Sequence, residues 1–470
     1  MESRQLDIYF VAIGGTGMAP LACLVQEEGH RVRGADGPLY PPMSTLLHGA
    51  GIHPHVGFDA SHLDPRPDLV VIGNAVRRDN PEVAAAERLG LPLLSMPQTL
   101  ARFFLAGRRP LVVAGTHGKT TTTAMAAWIY RACGRDPGYL IGGAPRDLPA
   151  SFARGSGERF VVEGDEYNAA YFDRGPKFLH YQPETVLLTG VEYDHADLYA
   201  SPEALWQAYA RLLDLLPASG LLVACGDEPE VRELARRACC QVISYGLGEG
   251  NDLRPLGEVE ALAEGSRFRL RGEHGGEVDV VLPLAGDHNV ANALAVWAAA
   301  RRDGIPAADL AAAFQRFHGV QRRLEELGTA RGVTVVDDFA HHPTAVGKTL
   351  LALRQRYPGR RLVALFEPRS LTAGRRFFFD DYRQAFAGAD RVLFAPIFHG
   401  GRLAAEERLD FAALADELSA AGTPATACAD VADVLRHALG ESREGDVIVT
   451  MSSGSFENAP RHLLAALVEL

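Results

Sequence analysis

The sequence predicts an α/β protein of three domains: an N-terminal Rossmann-like domain, a central α/β domain built on a phosphate-binding loop, and a C-terminal Rossmann-like domain. Two observations carry this. Short apolar runs of strand type end in Gly-rich or polar loops and lead into helical patterns, and they recur along the whole chain. With 470 residues the chain is too long for one core, and its length suggests about three domains. The expected boundaries are 1–107, 108–320 and 321–470.

Composition narrows the class. Hydrophobic residues make up 47% and charged residues 23%, as in ordinary globular proteins. A formal net charge of −12 argues against broad binding to nucleic acid or anionic membranes, while leaving room for a local basic pocket. The six cysteines (Cys23, Cys133, Cys225, Cys239, Cys240, Cys428) form no C-x-x-C pair and read as reduced thiols, mostly core filler. The N-terminal stretch lacks a leader pattern, and no apolar run approaches the ~18 residues a membrane span needs, so a cytoplasmic protein is expected.

In the first domain, strand 7–13 runs into Gly14-Gly15-Thr16-Gly17, then a helix to about Gly29, then strand 31–35 ending at Asp36. This opens a βαβ unit, with Asp36 where a ribose-binding carboxylate is expected. Pro20 replaces the third Gly of the dinucleotide fingerprint, which weakens a nicotinamide reading but still suits a diphosphate. The Pro pair at Tyr40-Pro41-Pro42-Met43 leads into a helix capped near Ser44. Asn74 follows the buried strand 68–72, either as a turn residue or as a substrate contact.

The central domain is the most informative. The apolar run 111–114 leads to Gly115-Thr116-His117-Gly118-Lys119-Thr120-Thr121, and a helix follows to Ala132. Gly115 and Gly118 let several backbone N–H groups face one anion, and the helix N-terminus adds its positive dipole end. Lys119 is then placed to reach the terminal phosphates of a nucleotide, and the Thr120 hydroxyl to sit on magnesium. Val113 stands where the usual motif has its first Gly. Two further strands, 159–162 and 185–189, end in Glu163-Gly164-Asp165-Glu166 and in Glu192-Tyr193-Asp194-His195. Parallel sheets gather ligands at strand C-termini, so Lys119, Glu163 and His195 are candidates to converge, the last two with Thr120 as magnesium ligands. At least one of Asp165 and Glu166 is expected in a solvated loop. Segments 267–270 and 277–283 read as a hairpin. Asn289 and Asn292 share the first turn of an Ala-rich helix, where they either meet a purine edge or, for Asn289 or Asp287, cap the helix.

In the third domain four more strands end in polar loops: Asp337-Asp338-Phe339-Ala340-His341-His342, Glu367-Pro368-Arg369-Ser370, Pro396-Ile397-Phe398-His399 and Ser452-Ser453-Gly454-Ser455. Arg369 suits a substrate carboxylate. Arg354, Arg356, Arg360 and Arg361 read as a solvated face.

These loops together resemble the Mur ligases of bacterial cell-wall synthesis, over essentially the whole chain. The shared motifs are Gly-Thr-His-Gly-Lys-Thr-Thr at 115–121, Asp-His-Ala-Asp at 194–197, His-Asn-x-x-Asn at 288–292, Arg-Arg-Leu-Glu at 322–325 and Asp-Asp-Phe-Ala-His-His-Pro at 337–343. Tyr-Pro-Pro-Met-Ser-Thr-Leu-Leu, Gly-Asn-Ala at 73–75, Glu-Tyr-x-x-x-Tyr-Phe-Asp at 166–173 and Glu-Pro-Arg-Ser are similar to one branch of that family. That branch joins L-alanyl-γ-D-glutamyl-meso-diaminopimelate, a recycled murein tripeptide, to UDP-N-acetylmuramate. Gly164 and Asn168 depart from the family pattern, as does the stretch 452–458.

The resemblance implies an ATP- and Mg2+-dependent ligase acting through an acyl phosphate, with no nucleic-acid or membrane partner. It assigns Lys119, Thr120, Glu163 and His195 to phosphoryl transfer, with Gly115, Thr116, His117, Gly118 and Thr121 completing the phosphate loop. Asn289 and Asn292 are assigned to adenine, and Arg323 and Asp338 to the nucleotide from the third domain. Gly15, Gly17, Asp36 and Asn74 are assigned to the UDP-sugar, Arg369 to the peptide, and His341 and His342 to the intermediate. Three other readings stay open. One is the sibling activity with free L-alanine. A second is a dinucleotide-dependent oxidoreductase using the loop 14–17. The third is a non-catalytic nucleotide sensor.

Overall fold

The computed structural model describes residues 4–469. They pack as two compact units. The first holds the described residues through Glu192 with Pro202–Arg254 and Asn292–Ala313; the second holds Tyr193–Ser201, Pro255–Ala291 and the described residues from Phe314 on.

The first unit contains a two-stranded antiparallel sheet, Asn168–Ala170 with Asp173–Pro176, and two large sheets. One is five-stranded and wholly parallel, in the order His55–Val56, Arg31–Asp36, Asp7–Val11, Leu69–Ile72, Leu93–Ser95. Its central strands are fully buried because helices cover both faces of a parallel sheet, which is why they read as unbroken apolar runs. The other sheet is seven-stranded, in the order Gln241–Tyr245, Leu221–Cys225, Thr185–Leu188, Arg109–Ala114, Arg159–Gly164, Gly138–Leu140, Phe152–Ala153. Only Phe152–Ala153 runs antiparallel to its neighbour. Arg154 pairs with Glu28 at 2.6 Å between the segments of the two large sheets, and the Tyr171 hydroxyl, in the turn of the two-stranded sheet, donates to Glu87 at 2.9 Å.

The second unit carries a six-stranded sheet in the order Glu325–Ala330, Val333–Asp338, Val447–Met451, Leu362–Phe366, Arg391–Phe394, Ala425–Ala427. The first of these strands is antiparallel and the rest are parallel. The expected hairpin is present: Gly265–Arg271 pairs antiparallel with Glu277–Leu282, and Glu260–Leu262 adds a third strand. Burial alternates along Gly265–Arg271, as a sheet covered on one face requires.

Two local expectations are corrected. The helix expected to be capped near Ser44 spans Met43–Gly49 with Pro42 at the cap position and no side-chain cap. Pro42 already has helical backbone angles (φ −85, ψ −15), so the ring starts the helix where Ser44 is not needed. The arginines at 354–361 are half-buried, not a solvated face. Arg360 donates to the Gly445 and Asp446 carbonyls, both at 2.7 Å, and Arg354 pairs with Asp390 at 2.5 Å. The Arg360 guanidinium thus adds to the Asp446 carbonyl, which also accepts from Thr334 N–H at 2.9 Å, at the end of the sheet.

Candidate active site

The strand Arg109–Ala114 delivers the loop 115–118 to the C-terminal edge of the seven-stranded sheet, and the helix Lys119–Ala132 leaves it. Two glycines are sterically required. Gly115 has φ +130, and a Cβ there would lie 2.3 Å from Thr189 Oγ1 and 2.8 Å from the Gly190 carbonyl. Gly118 has φ +79, and a Cβ there would press on Asn292 Oδ1 at 3.0 Å. The neighbouring strand Thr185–Leu188 steadies the loop. Thr116 N–H donates to Gly190 O at 2.8 Å, Thr116 Oγ1 donates to Glu192 O at 3.0 Å, and Thr189 Oγ1 donates to His117 O at 2.5 Å. His117 Nε2 lies 2.9 Å from Glu192 Oε2.

Lys119 is buried at the loop's mouth. Its ammonium donates to Gly115 O at 2.7 Å and to both oxygens of Glu166 at 3.0 and 3.2 Å. Glu166, expected as a candidate for a solvated loop, is only 2% exposed. Asp165 is half-buried, its side chain 21% exposed, and pairs with Lys177 at 3.0 Å. Burial would lower the Lys119 pKa, but the charges of Glu166, Asp165 and Glu163 outweigh it and hold the ammonium above its ordinary range. Glu163 accepts from Thr120 Oγ1 at 3.1 Å and from Gly142 N–H at 2.6 Å. Burial, helped by the Asp165 charge, pushes the Glu163 carboxyl up to about 7.

This arrangement fits a divalent cation. Lys119 and Lys177 each offset one carboxylate, and Glu163 is left with neutral donors and a raised pKa. A hydroxyl and a carboxylate oxygen 3.1 Å apart are the hard donors that magnesium takes, with water and phosphate completing its shell. His195, the third expected ligand, sits in the second unit with a left-handed backbone, φ +55.

In the five-stranded sheet, the expected sugar-nucleotide residues share one edge. Asp36 accepts from Gly14 N–H at 2.6 Å and from Gly37 N–H at 2.7 Å, so its carboxylate braces the loop that leads into the helix Met18–Glu27. Gly17 takes the cap position of that helix with no side-chain cap; in the first turn Ala19 N–H donates to Gly15 O at 2.9 Å and Pro20 has no N–H. Gly15 and Asn74 are exposed at the same edge.

In the second unit, polar groups line the C-terminal edge of the six-stranded sheet. Asp338 is buried and accepts from Leu324 N–H at 2.6 Å, Ala340 N–H at 2.8 Å and Thr349 Oγ1 at 3.2 Å. It therefore shapes the turn that carries Arg323, whose guanidinium lies 4.4 Å from the centre of the Phe339 ring. Arg369 stacks on Phe398 at 3.8 Å and passes so close to Gly454 that a Cβ there would overlap its side chain. Its guanidinium lies 3.6 Å from Glu367, which in turn accepts from Ser452 Oγ at 2.5 Å.

The loop Tyr193–Ser201 packs with this unit, and Asp194 is buried there among histidines. Burial would raise the Asp194 carboxyl, but His195, His341 and His342 together hold it well below the carboxylate range. His342 caps the helix Pro343–Arg356 by accepting from Thr344 N–H at 3.3 Å, and His341 Nδ1 lies 3.1 Å from Phe339 O. Asn289 spends its amide on Ala285 O at 2.8 Å, while Asn292 belongs to the first unit and lies against Gly118.

Sequence reasoning singled out neither Glu166 nor Asp194 as a site residue. No spacing rule links Glu166 to a lysine 47 positions earlier, so the sequence offered no signal for that pair.

Comparisons with known proteins agree along the chain. Residues 7–108 match the description "Mur ligase family, catalytic domain", residues 113–300 "Mur ligase middle domain", and residues 322–454 "Mur ligase, glutamate ligase domain". The UDP-N-acetylmuramate–L-alanyl-γ-D-glutamyl-meso-2,6-diaminoheptandioate ligase of Escherichia coli (strain K12) is 39% identical over 465 residues, covering 99% of each protein. The UDP-N-acetylmuramate–L-alanine ligase of Variovorax paradoxus (strain S110) is 35% identical, covering 98% of this chain and 95% of that protein. Among solved structures, a murein peptide ligase from Psychrobacter arcticus 273-4 has a TM-score of 0.73 at 32% identity, covering 99% of each chain.

Proposed function

Because the chain belongs to the Mur ligase family, we propose that it joins the lactyl carboxylate of UDP-N-acetylmuramate to the amino group of L-alanyl-γ-D-glutamyl-meso-diaminopimelate, using ATP and Mg2+. The observation that carries the ATP half is the cluster of Lys119, Thr120 and Glu163 at the mouth of a loop where Gly115 has no room for a side chain and Gly118 takes a left-handed backbone. The peptide half rests on full-length identity to the Escherichia coli ligase and on Arg369, a guanidinium already stacked and braced to meet a carboxylate.

A carboxylate resists attack by an amine because its oxygen is a poor leaving group. ATP supplies the phosphoryl group that makes it a mixed anhydride, and the amine then displaces phosphate. The residues have little covalent work and act mainly by charge and position. Lys119 exchanges Glu166 for the terminal phosphate, and the loop N–H groups bind the phosphate oxygens. Thr120 and Glu163 hold the cation, while Gly15, Gly17 and Asp36 hold the diphosphate and ribose of the sugar nucleotide, with Asn74 beside them. Arg323 is the nucleotide-binding cation of the second unit, and Asp338 positions it. His195, His341 and His342 surround Asp194 and, together, offer imidazole nitrogens to a transferring phosphoryl group. Asn289 and Asn292 serve the adenine end. In domain terms, 1–107 binds the sugar nucleotide, 108–320 ATP and 321–470 the amine. We place the reaction in the cytoplasm; among the described residues no helix is long and apolar enough to cross a membrane.

Replacing Lys119 tests the loop assignment. Lys119→Ala should lower ATP-dependent ligation by at least ~10²-fold in kcat while leaving UDP-N-acetylmuramate binding, followed by calorimetry, near normal. Intact turnover would refute it. The sibling reading, with free L-alanine as the amine, draws on the Variovorax relative and differs only in the acceptor.

A further inference from the structure

We propose that Cys428, Asp433 and His437 form a binding site for a borderline-soft divalent transition metal of the zinc class. Their ligand atoms, Cys Sγ, one carboxylate oxygen and one imidazole nitrogen, all lie within 4.8 Å of one another. Cys428 directly follows the edge strand Ala425–Ala427, and Asp433 and His437 stand one turn apart on the helix Val431–Gly440 that comes next.

The geometry is that of a metal site with its supporting contacts. His437 Nε2 and Asp433 Oδ1 are 3.5 Å apart. Two ligands of a tetrahedral zinc, each at ~2.0–2.2 Å from the metal, lie roughly that far from each other. The other imidazole nitrogen is already committed: Nδ1 sits 3.2 Å from Glu441 Oε1. Arg391 grips Glu441 with two parallel bonds at 2.8 and 2.9 Å. A carboxylate behind a histidine fixes Nδ1 as the protonated nitrogen and leaves Nε2 as the ligand, the arrangement that orients histidines on metals. Asp433 is aimed as well, because its other oxygen accepts from Ala429 N–H at 3.0 Å.

The alternative is a set of surface ion pairs, since Arg436 also pairs with Asp433. That pair is 71% exposed at its arginine end and screened by solvent, so a metal can displace the arginine from the more buried Asp433. It also leaves the thiol unexplained: Cys428 is 7% exposed, yet it faces the two polar ligands rather than only the apolar cluster behind it. A sulfur ligand disfavours magnesium and calcium and selects zinc, cobalt or copper. Three protein ligands with a half-exposed histidine leave a fourth position for water.

The test uses the full-length protein, stripped by chelator and titrated with Co2+ as a spectroscopic stand-in for zinc. One equivalent should bind with thiolate-to-cobalt charge-transfer absorption, and zinc should bleach it. Cys428→Ser should remove that absorption. His437→Ala should weaken binding by more than tenfold, and Glu441→Gln by ~10-fold through loss of the supporting contact. Cys239→Ser with Cys240→Ser, which removes the more exposed thiols, should change nothing. Circular dichroism of each variant checks folding, and His437→Ala carries the test if Cys428→Ser does not fold. No cobalt binding, binding without thiolate absorption, absorption that survives Cys428→Ser, or an affinity unchanged in His437→Ala would overturn the proposal.

Discussion

At the level of single residues the account is most exposed at Glu163. Its carboxyl keeps a proton up to about pH 7 in the nucleotide-free protein, whereas the unfolded chain loses it at the ordinary carboxylate pKa. Between those two values the folded state binds more protons, so this group makes folding less favourable as pH rises through that window. Glu163→Gln should therefore raise the melting temperature at pH 8 more than at pH 5, read by calorimetry without ligand. A cation must displace the proton, so Mg2+-dependent ATP binding should tighten from pH 6 to pH 8, and an affinity that is flat across that range would contradict Glu163 as a ligand. At Gly115 the constraint is steric: Gly115→Ala meets Thr189 and the Gly190 backbone at a strained φ and should cost about 1–3 kcal/mol along with most ATP affinity. Lys119, Thr120 and the two glycines were legible because the motif fixes them by spacing. Glu166 was not, because nothing in the linear order says that an acidic loop residue will fold back on a lysine 47 positions away.

Among the elements, the strands were readable for a physical reason. Parallel strands buried on both faces appear as apolar runs, and the polar residue that ends each run marks the ligand edge. The helix at Met43 was read correctly and its cap was not, because a proline can start a helix without help from a side chain. The arginines at 354–361 were misread because a carbonyl at the end of a sheet leaves no trace in sequence. A similar hidden network lies beneath the seven-stranded sheet. Arg159 pairs with Glu184 and with both oxygens of Asp303 at 2.6 Å, and Asp303 also accepts from Tyr130 at 2.5 Å. Burial would raise the Asp303 carboxyl, but Arg159 and Tyr130 hold it below its ordinary value. Its stabilisation is thus present above the ordinary carboxylate pKa and fades as pH falls through the lowered one. Asp303→Ala leaves Arg159 buried without its main partner and should cost about 3–5 kcal/mol in denaturant unfolding at pH 7. A loss below 1 kcal/mol would show that the network is only a surface feature.

For the whole molecule, the order of the three large sheets along the chain was predictable from recurring strand–loop–helix patterns. The packing into two units was not. Tyr193–Ser201 leaves the central sheet to pack with the C-terminal one, carrying Asp194 and His195 to His341 and His342. A single sequence holds no record of such a long-range choice, since it depends on which buried charges find partners. The amine is decided at this scale too, because the chain resembles both tripeptide and alanine ligases along nearly its full length. The most direct test incubates the protein with ATP, Mg2+, UDP-N-acetylmuramate and equal amounts of L-alanine and L-alanyl-γ-D-glutamyl-meso-diaminopimelate, and weighs the product by mass spectrometry. The account predicts the UDP-N-acetylmuramoyl tripeptide, formed with one ADP and one phosphate per bond; UDP-N-acetylmuramoyl-L-alanine as the main product, or no ligated product with either amine, would contradict it.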